Sequence, residues 1–278
     1  MKDLSDIVLV SDMDGTLLNS KKEITSENLR AIERFRSMGG KFTIATGRTI
    51  QSFSPYADML EIDMPVILYN GAMIYDYLNK KSLYTVYLPE TAREISLEIM
   101  KSVGNLGGEI LKEEGTYIFR NNEYEQHHTD LCRIIPKFCR LEDMTSDKWL
   151  KVLFATSPEN LEKLVDFISE KGYNSVSFVK SADIFCEMLE PSSNKGSALK
   201  KYRQLDGMEK FRFVSIGDYD NDIEMIQEAD FGAVPSNAQP EVKSSADMVL
   251  KSSCDENAVA ELIDLIIQKN IHGGKYDN

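Results

Sequence analysis

The chain has 278 residues, of which 42% are hydrophobic, so it can bury the core of one large domain or two modest ones. Its 32 Lys and Arg residues and 45 Asp and Glu residues give a formal net charge of −13 at pH 7. Nucleic acids and anionic membranes are bound through cationic patches, so this balance argues against both as partners. A small anionic substrate is compatible with it only where local cations or a metal ion receive the negative charge.

The N-terminus carries no apolar stretch of signal-peptide length, and no run approaches the ~18 apolar residues of a membrane span. We therefore expect a soluble, cytoplasmic protein. The cysteines include no Cys-x-x-Cys pair, which predicts free thiols in a reducing compartment. Cys132 and Cys139, with His127 and His128 upstream, do not have zinc-site spacing, and we expect both histidines to be structural or solvent-facing.

The first part of the chain alternates strand and helix patterns. Residues 7–10 are a continuously apolar, β-branched run, which is typical of a strand buried on both faces. Thr25 is placed to cap a helix that runs to about residue 38 and buries a stripe containing Leu29. Further buried strands are predicted at 42–46 and 65–69. This order predicts a parallel sheet with right-handed crossovers.

The pattern changes between residues 82 and 189, where alternating strands predominate and an open, largely antiparallel sheet with helices on one face is predicted. The predicted elements are a strand at 82–89, a helix at 91–103, a hairpin at 109–121, a strand at 151–156, a helix at 158–171 and strand-like residues at 175–189.

From residue 194 the strand and helix alternation resumes, so residues 82–189 are an α+β insertion within a doubly wound α/β core formed by 1–81 and 190–278. Residues after Ile271 are expected to be frayed. The predicted elements of the returning segment are a helix at 195–205, a strand at 211–218, a helix at 221–228, strands at 229–234 and 246–250, and a helix at 257–268.

Polar side chains follow the predicted parallel strands where each strand ends, and ligands of open parallel sheets bind beyond those ends. Two carboxylates about 4 Å apart repel by roughly 4 kcal/mol at an effective dielectric constant near 20. A cluster of four aspartates is therefore reasonable only around a hard cation such as Mg2+, which prefers oxygen ligands. Nearby Thr, Lys and Asn donors suit an oxyanion, most plausibly a phosphoryl group. The residues concerned are Asp12, Asp14, Thr46, Gly47, Arg48, Lys195, Asp218, Asn221 and Asp222.

Other phosphate and acyl-transfer motifs are missing from the sequence. No G-x-G-x-x-G follows the first strand, and the chain contains neither a P-loop nor a G-x-S-x-G elbow.

Four short motifs resemble those of the haloacid dehalogenase superfamily, in the order that is usual there. They are DMDGTLL at 12–18, ATGR at 45–48, NKG at 194–196 and GDYDND at 217–222. YNGAMIYD at 69–76 and SNAQPEVKSSADMVL at 236–250 look like the Cof-type branch of sugar-phosphate phosphatases. Tyr219 departs from the glycine that is usual at its position, and this weakens the inference about the substrate more than the inference about the chemistry.

The resemblance implies a Rossmann-like core with an inserted cap domain, and it implies a role for each matching residue. Asp12 would be the nucleophile that forms an aspartyl-phosphate, and Asp14 the general acid and then the general base, starting protonated because a nearby carboxylate raises its pKa. The side chains of Asp12 and Asp218, with the backbone carbonyl of Asp14, would bind Mg2+. The remaining implied contacts are phosphate binding by Thr46, the Met13 and Gly47 amides, Lys195 and Asn221, and support of the site by Asp222 and Arg48.

The function implied is a Mg2+-dependent hydrolase of small phosphomonoesters, such as sugar phosphates, that acts as a monomer. Two alternatives stay open, a phosphohexomutase-type phosphoryl transferase and a non-catalytic phosphometabolite sensor. The identity of the substrate does not follow from the sequence, because cap domains of this kind set specificity by shape.

Overall fold

The computed structural model describes residues 3–269, so the tail expected to be frayed after Ile271 lies outside the described residues. The chain forms two compact units. The first contains the residues up to Gly47, Tyr56–Tyr84 and those from Asn194 onward; the second contains Arg48–Pro55 and Thr85–Ser193. The sequence placed these boundaries after residue 81 and before residue 190, and it did not indicate that 48–55 group with the insertion.

Helices and strands alternate through most of the described chain. None of the helices within residues 3–269 is both long and apolar enough to cross a lipid bilayer. The strands are β1 (Ile7–Ser11), β2 (Lys41–Ile44), β3 (Val66–Leu68), β4 (Met73–Asp76), β5 (Lys81–Thr85), β6 (Gly107–Lys112), β7 (Gly115–Arg120), β8 (Lys137–Phe138), β9 (Lys151–Ala155), β10 (Ser177–Ala182), β11 (Phe185–Leu189), β12 (Arg212–Ile216), β13 (Phe231–Val234) and β14 (Met248–Val249). The α-helices are α1 (Ser26–Ser37), α2 (Ile50–Met59), α3 (Ala92–Ser102), α4 (Glu123–Leu131), α5 (Pro158–Lys171), α6 (Lys195–Tyr202), α7 (Ile223–Glu228), α8 (Pro240–Ser245) and α9 (Ala258–Lys269).

A parallel five-stranded sheet in the order β14-β13-β12-β1-β2 forms the centre of the first unit. Every residue of β1 is buried, which is why this strand lacks the polar alternation of a half-exposed strand. Val8 pairs with Phe213 on one side and with Lys41 on the other. The prediction of a Rossmann-like α/β core is confirmed.

The strand predicted at 65–69 differs from expectation. β3 pairs antiparallel with β4 in a separate sheet, β3-β4-β5, and touches the parallel sheet through one isolated bridge between Ala45 and Ile67. Tyr69 and Asn70 adopt left-handed conformations with φ of 52° and 54°, so the chain reverses directly after β3. A strand that reverses there pairs first with its own continuation, as in a hairpin.

Helix α1 begins where the sequence predicted, because the Thr25 side chain accepts a hydrogen bond from the Asn28 amide. Asn28, rather than the predicted Leu29, occupies the fully buried position. Its side-chain amide donates to the Leu17 carbonyl at 3.3 Å and accepts from the Ala260 amide at 3.0 Å. Asn28 therefore connects α1 to the loop after β1 and to the start of α9.

The second unit is an α+β insertion, as predicted. Its sheet has the order β10-β11-β9-β6-β7-β8, and all pairings are antiparallel except that between β7 and β8. Its core contains Trp149 and Phe154, packed with residues of α3 and α5. Helix α5 begins with Pro158 after a Ser157 cap, as the sequence indicated. Helix α4 and strand β8 were not predicted.

We expect Asn28→Ala to destabilise the first unit, because the buried Ala260 amide would lose its acceptor. A buried donor left without a partner costs about 1–3 kcal/mol of the free energy of unfolding. Urea unfolding should show a lower midpoint than for the unmodified chain, whereas Glu33→Ala, at an exposed position of the same helix, should leave the midpoint nearly unchanged. Equal midpoints for Asn28→Ala and the unmodified chain would show that this connection contributes nothing.

Candidate active site

Asp12 and Asp218 lie at the carboxyl ends of neighbouring parallel strands. β1 ends at Ser11 and β12 at Ile216, which are paired in the sheet. The Asp12 amide donates to the Ile216 carbonyl at 2.9 Å, so the two chains leave the sheet side by side. Both aspartate side chains are buried. The topology therefore brings together two carboxylates that are far apart in the sequence, as predicted.

Lys195 connects Asp12 to Asp222. Its Nζ atom lies 2.6 Å from an oxygen of each carboxylate, and all three side chains are buried. Lys195 is the first residue of α6, whose start is fixed by a reciprocal capping box between Asn194 and Ser197. The lysine is therefore presented from a rigid helix end.

Asp222 uses both carboxylate oxygens for structure. One oxygen contacts Lys195, and the other accepts hydrogen bonds from the amides of Asp218 at 3.0 Å and Tyr219 at 3.2 Å. A Cβ atom at Gly217 would lie 2.4 Å from the Asp222 carboxyl carbon, so only glycine fits there. Asp222 thus shapes the loop that carries Asp218, and its supporting role in a reaction stays a prediction.

The turn after Asp12 packs closely against the Asp218 side chain. Gly15 has a φ of +88°, and a Cβ atom there would lie 2.3 Å from an Asp218 oxygen. The Thr16 hydroxyl donates to the other Asp218 oxygen at 2.6 Å. The chain can therefore turn sharply at Gly15, as the sequence suggested, and this turn orients the Asp218 carboxylate.

Burial dominates the electrostatics of the carboxylates. It raises the pKa of Asp12 well above the usual value; Lys195 opposes this shift, and Asp222 and Asp218 add to it. Burial and then Asp222 raise the pKa of Asp218 to about 7. For Lys195, burial alone would lower the pKa, but the two carboxylates it contacts outweigh burial and raise it. When all three aspartates are ionised, the cluster carries more negative charge than its one ammonium group neutralises.

The residues present fit a divalent cation. Oxygens of Asp12, Asp218 and Asp222 all lie within 4.8 Å of one another. Within the described residues, the second oxygen of Asp12 and that of Asp218 accept no hydrogen bond, so each can serve as a ligand. A cation that prefers oxygen would balance the excess charge. Asp222 is less available, since both of its oxygens already have partners.

Asp14 is placed differently from the other aspartates. Its side chain is 38% exposed and forms an ion pair with Lys22 at 2.9 Å. The expectation that a neighbouring carboxylate keeps Asp14 protonated stays a prediction.

Asn70 connects the polar groups beyond β2 and β3 to Asn221. Its side-chain oxygen accepts a hydrogen bond from the Asn221 side chain at 3.1 Å. A Cβ atom at Gly47 would lie 2.7 Å from that same oxygen. The backbone carbonyl of Thr46 accepts from the Asn70 amide at 3.1 Å. Thr46, Gly47 and Asn221 are therefore joined into one arrangement by a residue that the sequence analysis did not place in the site.

The remaining predicted site residues are Met13 and Arg48. Met13 is fully buried between Asp12 and Asp14, and its carbonyl accepts from the Leu18 amide at 2.8 Å within the turn. Arg48 is buried and begins the segment 48–55 that groups with the second unit. The phosphate contact of the Met13 amide and the supporting role of Arg48 stay predictions.

Sequence reasoning missed Lys22, Asn70 and Thr16. Thr16 lies inside the DMDGTLL motif, so the motif itself was a signal for it. Asn70-Gly71 is a turn signal, and a buried asparagine in a left-handed turn is a reason to look for a side-chain partner. Lys22 lies in a polar loop, where no pattern predicts which carboxylate it contacts.

Comparison with known proteins places the chain in a family. Residues 9–263 match the family model for haloacid dehalogenase-like hydrolases. The 5-amino-6-(5-phospho-D-ribitylamino)uracil phosphatase YwtE of Bacillus subtilis is 28% identical over 284 residues, which cover 92% of this chain and 96% of YwtE. The pyridoxal phosphate phosphatase YbhA of Escherichia coli is 26% identical over 267 residues, which cover 92% of this chain and 97% of YbhA.

A solved structure agrees with these sequence relatives. A haloacid dehalogenase-like hydrolase from Bacteroides thetaiotaomicron has a TM-score of 0.82 and 27% identity, covering 96% of this chain and all of that chain. With the family match over most of its length, the chain belongs to the haloacid dehalogenase-like hydrolases, and the predicted resemblance is confirmed.

The raised pKa of Asp218 gives a prediction for the metal-free protein. The pKa of Asp218 is about 7 in the folded state, whereas the ordinary value for an aspartate is 3.8. The folded state then holds this proton more tightly, so its contribution to stability falls as the pH rises between those values. We expect Asp218→Asn to be more stable than the unmodified chain near pH 8 in the presence of a chelator, and this advantage to shrink towards about pH 5.

Thermal unfolding with and without Mg2+ tests both this pH dependence and the role of Asp218 as a ligand of the cation. Mg2+ should raise the melting temperature of the unmodified chain near pH 8 and should have little effect on Asp218→Asn. Asp58→Asn, at an exposed position of α2, should behave like the unmodified chain. An equal Mg2+ response in Asp218→Asn would mean that Asp218 is not a ligand.

Proposed function

We propose that the protein is a Mg2+-dependent phosphatase that hydrolyses small phosphomonoesters through an aspartyl-phosphate at Asp12. The observation that carries the proposal is the placement of Asp12, paired with Lys195 and beside Asp218, at the sheet edge of a haloacid dehalogenase-like hydrolase. YwtE and YbhA carry the names of phosphatases of phosphorylated metabolites, which supports the same reaction class for this chain.

The cation would be held by the side chains of Asp12 and Asp218 and by the backbone carbonyl of Asp14. When bound, Mg2+ neutralises negative charge on the phosphoryl oxygens and on the carboxylates around them. Lys195, the Thr46 hydroxyl, the Asn221 side chain and the Met13 and Gly47 amides would bind the phosphoryl oxygens. These donors suit a transition state whose charge is spread over three equatorial oxygens.

In the first step an Asp12 carboxylate oxygen attacks phosphorus, and the bond between phosphorus and the ester oxygen breaks. Asp14 donates a proton to the leaving oxygen, so the alcohol departs neutral. Lys195 opposes the effect of burial on the pKa of Asp12 and so favours the carboxylate form that attacks phosphorus. The products of this step are the free alcohol and a phosphorylated Asp12.

In the second step Asp14, now a carboxylate, accepts a proton from water as the water oxygen attacks phosphorus. The bond between phosphorus and the Asp12 oxygen breaks, which releases inorganic phosphate and restores the Asp12 carboxylate. The two steps together consume one phosphomonoester and one water molecule.

Supporting residues and the second unit complete the proposal. Asp222 holds Lys195 and the loop of Asp218, and Arg48 would support the loop after Gly47. We assign the inserted domain, predicted as residues 82–189, to substrate selection. The different substrates named for YwtE and YbhA agree with a common reaction and a variable leaving group. A cytoplasmic monomer is the setting in which we expect this activity.

Phosphate release from a panel of phosphorylated metabolites tests the proposal. With Mg2+ present, Asp12→Asn should lose at least about 10³-fold in turnover, because no nucleophile remains. Asp14→Asn should lose about 10²- to 10⁴-fold with alkyl phosphates, because the leaving alkoxide needs a proton. Asp58→Asn controls for an exposed aspartate and should keep full activity.

A p-nitrophenyl phosphate assay separates the two aspartates. Its leaving group departs without a proton, so Asp14→Asn should release a burst of about one equivalent of nitrophenol and then turn over slowly. Asp12→Asn should show no burst. Undiminished turnover in either variant would contradict the roles assigned. A sugar phosphate isomerised only with a bisphosphate activator would instead indicate a phosphomutase, and saturable binding without turnover a sensor.

A further inference from the structure

A second group of buried ionisable side chains lies wholly within the second unit. Glu109 belongs to β6, and Glu125 and His128 lie one turn apart on α4. Both glutamates have an exposed fraction of 0%, and the His128 side chain is 14% exposed. Glutamate is almost never fully buried unless it is paired, so two such residues facing one histidine require an explanation.

Five polar atoms of this group lack hydrogen-bond partners in the described part of the chain. Within the described residues, neither the four carboxylate oxygens of Glu109 and Glu125 nor the Nδ1 atom of His128 has a hydrogen-bond partner. His128 Nδ1 lies 3.2 Å from a Glu109 oxygen, at ion-pair distance but outside hydrogen-bond geometry. Buried polar atoms are nearly always satisfied in native proteins, because an unsatisfied one costs about 1–3 kcal/mol and a charged one more.

Helix α4 is anchored so that these side chains stay buried. The Asn122 side chain caps the helix by accepting from the Glu125 amide at 2.8 Å, and it donates to the Ala155 carbonyl of β9 at 2.9 Å. The Phe185 ring packs edge-on against His128, with ring centroids 5.1 Å apart. The carboxylates are therefore held together by the fold rather than left free to turn towards water.

The donor atoms are spaced as metal ligands. One carboxylate oxygen each from Glu109 and Glu125 and a ring nitrogen of His128 all lie within 4.8 Å of one another. With both carboxylates ionised and the imidazole neutral, which are the forms that bind a metal ion, the group would carry a charge of −2 that a divalent ion balances. An imidazole nitrogen among carboxylates suits zinc and related transition metals, whereas Mg2+ is bound by oxygen ligands.

We propose that Glu109, Glu125 and His128 bind a divalent transition-metal ion of the zinc type, which fastens α4 to β6 in the second unit. The sequence analysis considered zinc only for Cys132 and Cys139 with the two histidines, and it expected His128 to be structural or solvent-facing. The ligands instead combine a Glu-x-x-His pair on a helix with a glutamate on a strand. This site shares no residue with the aspartate cluster and does not depend on the proposed function.

Zinc binding by the full chain tests the proposal. The experiment uses an Asp12→Asn, Asp218→Asn background in excess Mg2+, so that the aspartate cluster does not contribute. Isothermal titration and metal analysis after gel filtration should give one Zn2+ per chain. Glu125→Gln and His128→Gln should each weaken binding at least tenfold. Glu123→Gln and His127→Gln change exposed neighbours on the same helix and should bind like the background protein.

Two further measurements on the background protein test the proposal even if a variant of the second unit folds poorly. Zn2+ should raise the melting temperature of the background protein, which has no substitution in the second unit. Co2+ should give a visible absorption spectrum at one equivalent that Zn2+ abolishes. No binding of either ion by the background protein overturns the proposal. Equal binding by the background protein, Glu125→Gln and His128→Gln also overturns it, because the ion would then lie elsewhere.

Discussion

The ammonium group of Lys195 is the contact on which the site in the first unit depends. It lies between carboxylates that are 183 and 27 residues away in the sequence, and all three groups are buried. A buried ion pair holds its geometry because loss of one partner leaves an uncompensated charge in a poorly solvated place. The parallel sheet and the Thr16 hydroxyl bring the turn after Asp12 to Asp218, and Lys195 joins the Asp12 carboxylate itself to Asp222. One buried cation therefore links side chains of three separate motifs.

Much of the fold follows from local signals. The apolar run of β1, the Thr25 cap of α1 and the Ser157-Pro158 start of α5 act over a few residues, and the structure has each element where the sequence predicted it. The meeting of Asp12 and Asp218 could also be predicted, because parallel neighbours end at the same edge of a sheet. These inferences needed only the periodicity of the chain and the topology it implies.

Features that depend on distant or side-chain contacts were not predictable in this way. β3 was expected in the parallel sheet, but the left-handed turn at Tyr69 and Asn70 sends the chain back along β4. Lys22 reaches Asp14 from a loop that shows no periodic pattern. Helix α4 is short and strongly polar, so its apolar face gave little signal, and its buried Glu125 resembled an ordinary surface acid. In each case a tertiary contact outweighed the local preference.

The two units contain buried carboxylates in different chemical settings, and the difference bears on which ions suit them. In the first unit three aspartates share one ammonium group, and all available ligand atoms are oxygens. In the second unit two glutamates face one imidazole, and no other cationic side chain pairs with them within the described residues. Each group holds more negative charge than its fixed positive partners offset, so each needs protons or a cation to remain buried. Oxygen ligands alone select a hard ion, whereas a nitrogen among them selects a transition metal. The donor atoms thus separate the two sites chemically, although both arise from the same constraint, the cost of burying unbalanced negative charge.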